Sequence, residues 1–168
     1  MSLYDALKRA KTEEDVKDAY VRFIGLKQYT KDMVDIRTKE VWFEAKEKRV
    51  PPSDMFAQLF DYVRQARRKG EAIPPFLAVI NREEAAIMPT KKGLALLSDK
   101  SIKWPKSASK VTKELIAQIK PYIETHFVVY SIKTDEKEFL EAIRTAINKG
   151  EIIRTQITPD NLRQVFDK

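Results

Sequence analysis

VDIRTKEVWFEAKEKR, residues 34–49, reads as two apolar-alternating runs around a polar turn. Met33 to Arg37 makes a short strand, Thr38-Lys39-Glu40 its turn, and Val41 to Lys46 a second strand that Val50-Pro51-Pro52 stops. Side chains two apart on a strand share a face. Val41, Phe43 and Ala45 therefore point one way, to pack on a helix, and Trp42, Glu44 and Lys46 point the other. Val34 and Ile36 point opposite to Asp35, so folding the hairpin carries Asp35 toward the face of Glu44 and Lys46. Two carboxylates and an ammonium then share one patch. Carboxylate oxygens are the ligands a hard cation such as Mg2+ takes, with waters retained. A cation there would polarise a phosphoryl oxygen and acidify a water, with the lysine orienting that water and stabilising negative charge on phosphorus.

Outward from the hairpin, the chain alternates helices and strands. Thr12 caps a helix whose first turn is acidic (Glu13, Glu14, Asp15). Its apolar stripe is Val16, Ala19, Tyr20, Phe23 and Ile24, and Gly25 ends it. After the hairpin, Ser53-Asp54 caps a helix that runs to about Lys69, with Gly70 as its stop. Phe76 to Ile80 is a buried strand, and Ala85 to Met88 is its hairpin partner. Beyond Pro89, residues 91–120 hold eight lysines and two acids. Ser109 to Ile123 is expected as a helix, Phe127 to Ile132 as a strand and Glu136 to Asn148 as a helix. Ile152 to Ile157 is expected as a strand, and a last helix opens at Thr158-Pro159. The expected class is α/β, a central mixed sheet flanked by helices. Met1-Ser2-Leu3 is set aside as a cloning remnant.

The 168 residues suffice for one domain with its own core, and 43% apolar with 34% charged residues excludes a disordered chain. No cysteine and a single histidine, His126, exclude disulfides, thiolate metal sites and multi-imidazole sites. No apolar run is long enough to span a bilayer, and MSLYDALKRAK (1–11) lacks the apolar region of a signal peptide; the absence of cysteine fits a reducing compartment, and a cytoplasmic location without membrane contact is expected. The net charge of +7 fits a polyanionic partner or simply a soluble basic surface.

The hairpin, as D-x(8)-E-A-K, resembles the PD-(D/E)XK nuclease superfamily. Gln58-Leu-Phe-Asp-Tyr62 adds a Q-x-x-x-Y pair, one helical turn apart and on one face. That pair resembles the RecB-like or Mrr-like branch, in which it leans over the active site. The resemblance implies a restriction-endonuclease-like sheet and Mg2+ as cofactor, held by Asp35, Glu44 and the Ala45 carbonyl. It implies that Lys46 assists the nucleophile and that Gln58 and Tyr62 contact the substrate backbone or the lysine. It also suggests an acid on the first helix as a further ligand. Glu13 and Glu14 are the candidates, Glu13 being nearer the face of Val16 and Tyr20, although first-turn acids also serve the helix dipole alone. The motif's leading proline is absent, Met33 and Val34 standing there instead. Asp32 competes with Asp35 for the first acid, and Asp35 is preferred for its flanking Val34 and Ile36. The resemblance covers roughly residues 12–90.

Arg64, Arg67, Arg68 and Lys69 follow Tyr62 on the same helix, and Lys103 with Trp104 lies in the lysine-rich stretch. They form either a phosphate-binding surface, with Trp104 stacking on a base, or a solvated basic face with a packed tryptophan. There is no Gly-rich phosphate loop and no serine suited to pair with His126. The expectation is a Mg2+-dependent endonuclease domain that hydrolyses phosphodiester bonds in double-stranded DNA. It looks like the N-terminal domain of a type II/IIG or type I-like restriction-modification adenine methyltransferase, the segment ITPDNLRQVFDK (157–168) leading toward that partner region. One alternative is a catalytically silent, nuclease-like DNA-binding or scaffold domain of such a methyltransferase. Another is a structural α/β protein with no nucleic-acid role.

Overall fold

The computed structural model describes residues 1–106 and 111–156. Five strands form one mixed sheet in the order β1-β2-β3-β4-β5. They are β1 Ile36–Arg37, β2 Val41–Ala45, β3 Phe76–Ile80, β4 Glu84–Pro89 and β5 Val128–Ser131. Only the β2–β3 pair is parallel. A parallel neighbour needs a crossover, and α3 (Pro52–Arg68) supplies it. The other helices are α1 (Leu3–Arg9), α2 (Glu13–Ile24), α4 (Lys113–Ile123) and α5 (Ile132–Gln156), and a 3-10 segment covers Thr90–Ser98.

Strand alternation sorts the core into two halves. Trp42, Leu77, Val79, Ala86 and Met88 face α3 and α4, where they meet Phe56, Leu59, Phe60, Leu115 and Ile119. Val41, Phe43, Ala45, Ala78 and Ile80 face α1, α2 and α5, where they meet Leu7, Val16, Tyr20 and Phe139. The result is a three-layer α/β domain, helices on both faces of the sheet, as the sequence pattern predicts. No described helix is long and apolar enough to cross a membrane.

Thr12 caps α2 in a reciprocal box with Asp15, and Gly25 closes it at φ 84°, a left-handed geometry that suits glycine. The Tyr20 hydroxyl donates to the Asn81 carbonyl at 2.7 Å and so ties α2 to the β3–β4 turn.

Several segments depart from the sequence reading. Ser2 and Leu3 are integral: Ser2 caps α1, and Leu3 is fully buried. The Leu3 and Tyr4 N–H groups donate to the Glu136 carboxylate at 3.3 and 2.7 Å, joining α1 to α5. The expected strand 33–37 shrinks to Ile36–Arg37 because Asp32 accepts from the Val34 N–H at 3.1 Å and bends the chain. As a consequence Val34 packs toward α3 and Ile36 toward α2, not both on one face. Helix α3 begins at Pro52, whose ring suits the first helical position, and no Ser53 or Asp54 side chain caps it. The isoleucine-rich run at 152 is not a strand; α5 continues through it to Gln156. Gly150 is not a stop signal but a close approach, since a Cβ there would lie 2.9 Å from Glu40 Cβ and 3.0 Å from Pro75 Cγ. The expected helix from Thr158 lies outside the described residues.

Leu3→Ala removes a fully buried side chain from the α1/α2/α5 core. Urea unfolding should show a loss of about 2–5 kcal/mol; an unchanged midpoint would mean that the N-terminal turn is not part of the fold.

Candidate active site

Register places the acids. Ile36 pairs with Phe43 and Arg37 with Trp42. The next step of that ladder sets Asp35 opposite Glu44, and although Asp35 precedes the strand, its Oδ2 accepts from the Ala45 N–H at 2.8 Å. Glu44 points to the α3 side of the sheet, as Trp42 does. It is 2% exposed, and its Oε2 is buried without a hydrogen-bond partner. Lys46, two residues on and half-exposed, brings its Nζ to 3.6 Å from Glu44 Oε1. Burial pushes the Glu44 carboxyl up from 4.5 to about 9. The Asp35 charge and a hydrogen bond to Asp35 open to the protonated acid push the same way, and Lys46 only partly opposes them.

Helix α3 closes the patch from above. Gln58 and Tyr62, one turn apart, are both buried. Burial raises the Tyr62 hydroxyl's pKa, the Gln58 side chain in hydrogen-bond reach lowers it, and the charges of Glu44 and Asp35 raise it. Those couplings put Gln58, Tyr62, Glu44 and Asp35 in one neighbourhood. Asp32 is engaged in its own turn and takes no part.

Glu13 and Glu14 reach the patch through a lysine that the motif does not select. Lys17 Nζ lies 3.3 Å from Asp35 Oδ1, 3.7 Å from Glu14 Oε2 and 3.8 Å from Glu13 Oε2. The only sequence signal for it is the Glu13/Lys17 spacing of four, a common surface ion pair. Its partnership with Asp35 is long-range and invisible in the pattern. Burial alone would lower the Lys17 pKa, but Asp35, with Glu14 and Glu13, more than offsets this and the net shift is upward.

The basic residues divide. Arg64 is paired with the buried Asp61 at 2.8 Å and stacks over Trp104 at 5.0 Å from the ring centre. Arg64, Arg67, Arg68, Lys100 and Trp104 line a cavity of about 550 Å3 backed by Leu97 and Ile102. Lys69, at the helix end, does not line it, and Lys103 instead pairs with Glu114 at 3.7 Å. Asp99, the cavity's acid, is occupied by Ser101 and Tyr122. A larger cavity of about 1420 Å3 lies at the other end of β2, around Arg37, Trp42, Pro75 and Lys149. None of Asp35, Glu44, Lys46, Gln58 or Tyr62 lines it, so its size does not make it the site of acid and lysine chemistry.

Comparisons with protein-family models, curated proteins and solved structures found no match.

A carboxyl raised to about 9 binds a proton in the folded state that the unfolded chain releases near 4.5. Its contribution is therefore intact below pH 4.5 and is lost progressively as pH rises toward 9. Without divalent cations, Glu44→Gln should be more stable than the parent at neutral pH, by roughly 3 kcal/mol. Thermal melts from pH 5 to 9 should fall for the parent and flatten for the variant; parallel curves would contradict the buried-acid assignment.

Proposed function

We propose that this chain is a metal-dependent endonuclease domain acting on double-stranded DNA in the cytoplasm, of the kind similar to those joined to restriction-modification DNA methyltransferases. The observation that carries the reading is the Glu44 carboxyl. It is buried, has one oxygen without a partner, faces a second carboxyl and adjoins a half-exposed lysine. A buried acid pair of this kind is unfavourable by itself, and a divalent cation is the ligand that would relieve it.

Among the described residues no three His, Cys, Asp or Glu side chains group closely enough to hold a metal. The fit is instead to Mg2+, which commonly takes one or two protein carboxylates and completes its shell with water and substrate phosphate. Asp35, Glu44 and the Ala45 carbonyl would hold it. Bound there, Mg2+ would supply charge neutralisation of the scissile phosphate and a more acidic water.

The chain's own groups do the rest. Lys46 carries its ammonium at the rim of the patch, where it can hydrogen-bond the attacking water and offset the negative charge that develops on phosphorus. The Tyr62 hydroxyl stays protonated, its pKa raised, and so remains a donor to a phosphate oxygen. Gln58 orients that hydroxyl and offers its amide to the backbone. Arg64, Arg67 and Arg68 continue along α3 away from Tyr62, and their cavity with Lys100 and Trp104 would receive the flanking strand.

Supercoiled plasmid with Mg2+ tests this. The parent should nick it, and Lys46→Ala should nick at least about 100-fold more slowly with unchanged DNA binding. Salt-dependent DNA binding by the parent without nicking would instead assign the chain to the silent, scaffold class.

A further inference from the structure

Both oxygens of Asp35 are already engaged. Oδ2 holds the Ala45 N–H at 2.8 Å, and Oδ1 faces the Lys17 ammonium at 3.3 Å. The Lys17 side chain is only 12% exposed, so this ion pair is shielded from solvent. Glu44, by contrast, keeps an oxygen without a partner. A divalent cation entering between the two acids would meet, on Glu44, an oxygen with no hydrogen-bond partner. On Asp35 it would find one that Lys17 neutralises, and it would face that ammonium's positive charge at close range.

The ammonium also has somewhere to go. Glu14 and Glu13, in the first turn of α2, already lie 3.7 and 3.8 Å from its Nζ. A lysine head on a flexible four-carbon stem can shift toward them without losing its pairing. Glu14 is shared with Lys31, which also holds Asp18. Among the described residues, Glu13 forms its salt bridge with Lys17.

We infer that Lys17 is the resident counter-cation of Asp35, and that a divalent cation binds by displacing it onto Glu13 and Glu14. Glu13 then acts as the lysine's acceptor and not as a metal ligand. This rests on the reading of Asp35 and Glu44 as a cation site, and it adds the residue that sets how tightly that site binds.

The test is titration of the metal alone, Mn2+ without DNA, by calorimetry. Variants are compared after thermal melts establish that each is folded, with Lys17→Gln taking the place of Lys17→Met if the latter is not. Lys17→Met, which keeps the buried stem and removes the charge, should tighten Mn2+ binding by about tenfold. Lys17→Arg, which keeps the charge, should stay within about threefold of the parent. Glu13→Gln should weaken binding in the parent and have no effect in the Lys17→Met background, a double-mutant cycle that separates an acceptor from a ligand. Unchanged or weaker binding by the folded, uncharged Lys17 variant overturns the inference. So does a Glu13→Gln loss that persists without Lys17, since that makes Glu13 a direct ligand. Asp35→Asn distinguishes the two levels. If it abolishes Mn2+ binding while the uncharged Lys17 variant matches the parent, the exchange alone is wrong. If the parent does not bind Mn2+, or Asp35→Asn binds as well as the parent, the cation site itself falls and the exchange with it.

Discussion

The pairing of Ile36 with Phe43 fixes everything that follows in the candidate site. Both side chains are fully buried against α2 and α5. A slip of one residue would turn Ile36 from the α2 and α5 face to the α3 face and carry Asp35 away from Glu44. Held in that register, Asp35 stands opposite Glu44, and its Oδ2 can meet the Ala45 N–H. The turn helps from the other end. Thr38 Oγ1 accepts from the Val41 N–H and donates to the Val41 carbonyl, both at 2.8 Å, so the two short strands cannot drift. The apolar face of the hairpin thus positions the charged one.

That placement has a cost which the rest of the molecule is arranged around. A carboxyl at the end of a central strand, under a helix, loses its water. Lys46 lies at 3.6 Å and half-exposed, too distant and too wet to compensate fully, so Glu44 favours its protonated form. Lys17 holds the neighbouring Asp35 instead. The arrangement is therefore a Glu44 that keeps its proton beside an Asp35 that Lys17 neutralises. It is a local conflict between stability and charge. The α3 helix belongs to the same arrangement. Its Leu59 and Val63 anchor it on the sheet, and this leaves Gln58 and Tyr62 turned toward the acids.

Much of this was legible in the sequence because it is local. Alternation in VWFEA assigned Glu44 and Trp42 to one face and Phe43 and Ala45 to the other, as the two core clusters show. Thr12 and Gly25 marked both ends of α2. The spacing of four between Gln58 and Tyr62 required one helical face. What was hidden is non-local or ambiguous. Asp32 bends the chain ahead of β1, so Asp35 reaches Glu44 by register and not by strand alternation. Leu3 is core only because α5 is there to receive it, and Gly150 reads as a helix stop until Glu40 and Pro75 are seen against it. EIIR at 151–154 has the composition of a strand, but it continues the turns of an existing helix. Lys17 meets Asp35 across eighteen residues, and no spacing rule anticipates that.

The central claim is that Asp35 and Glu44 form one cation site. Anomalous scattering from crystals soaked in Mn2+ tests it most directly. The account predicts a single strong peak between the two carboxyls, next to the Ala45 carbonyl, with the Lys17 ammonium moved toward Glu13 and Glu14. A well-ordered Asp35–Glu44 pair with no peak there, or Mn2+ bound only elsewhere on the surface, would contradict it.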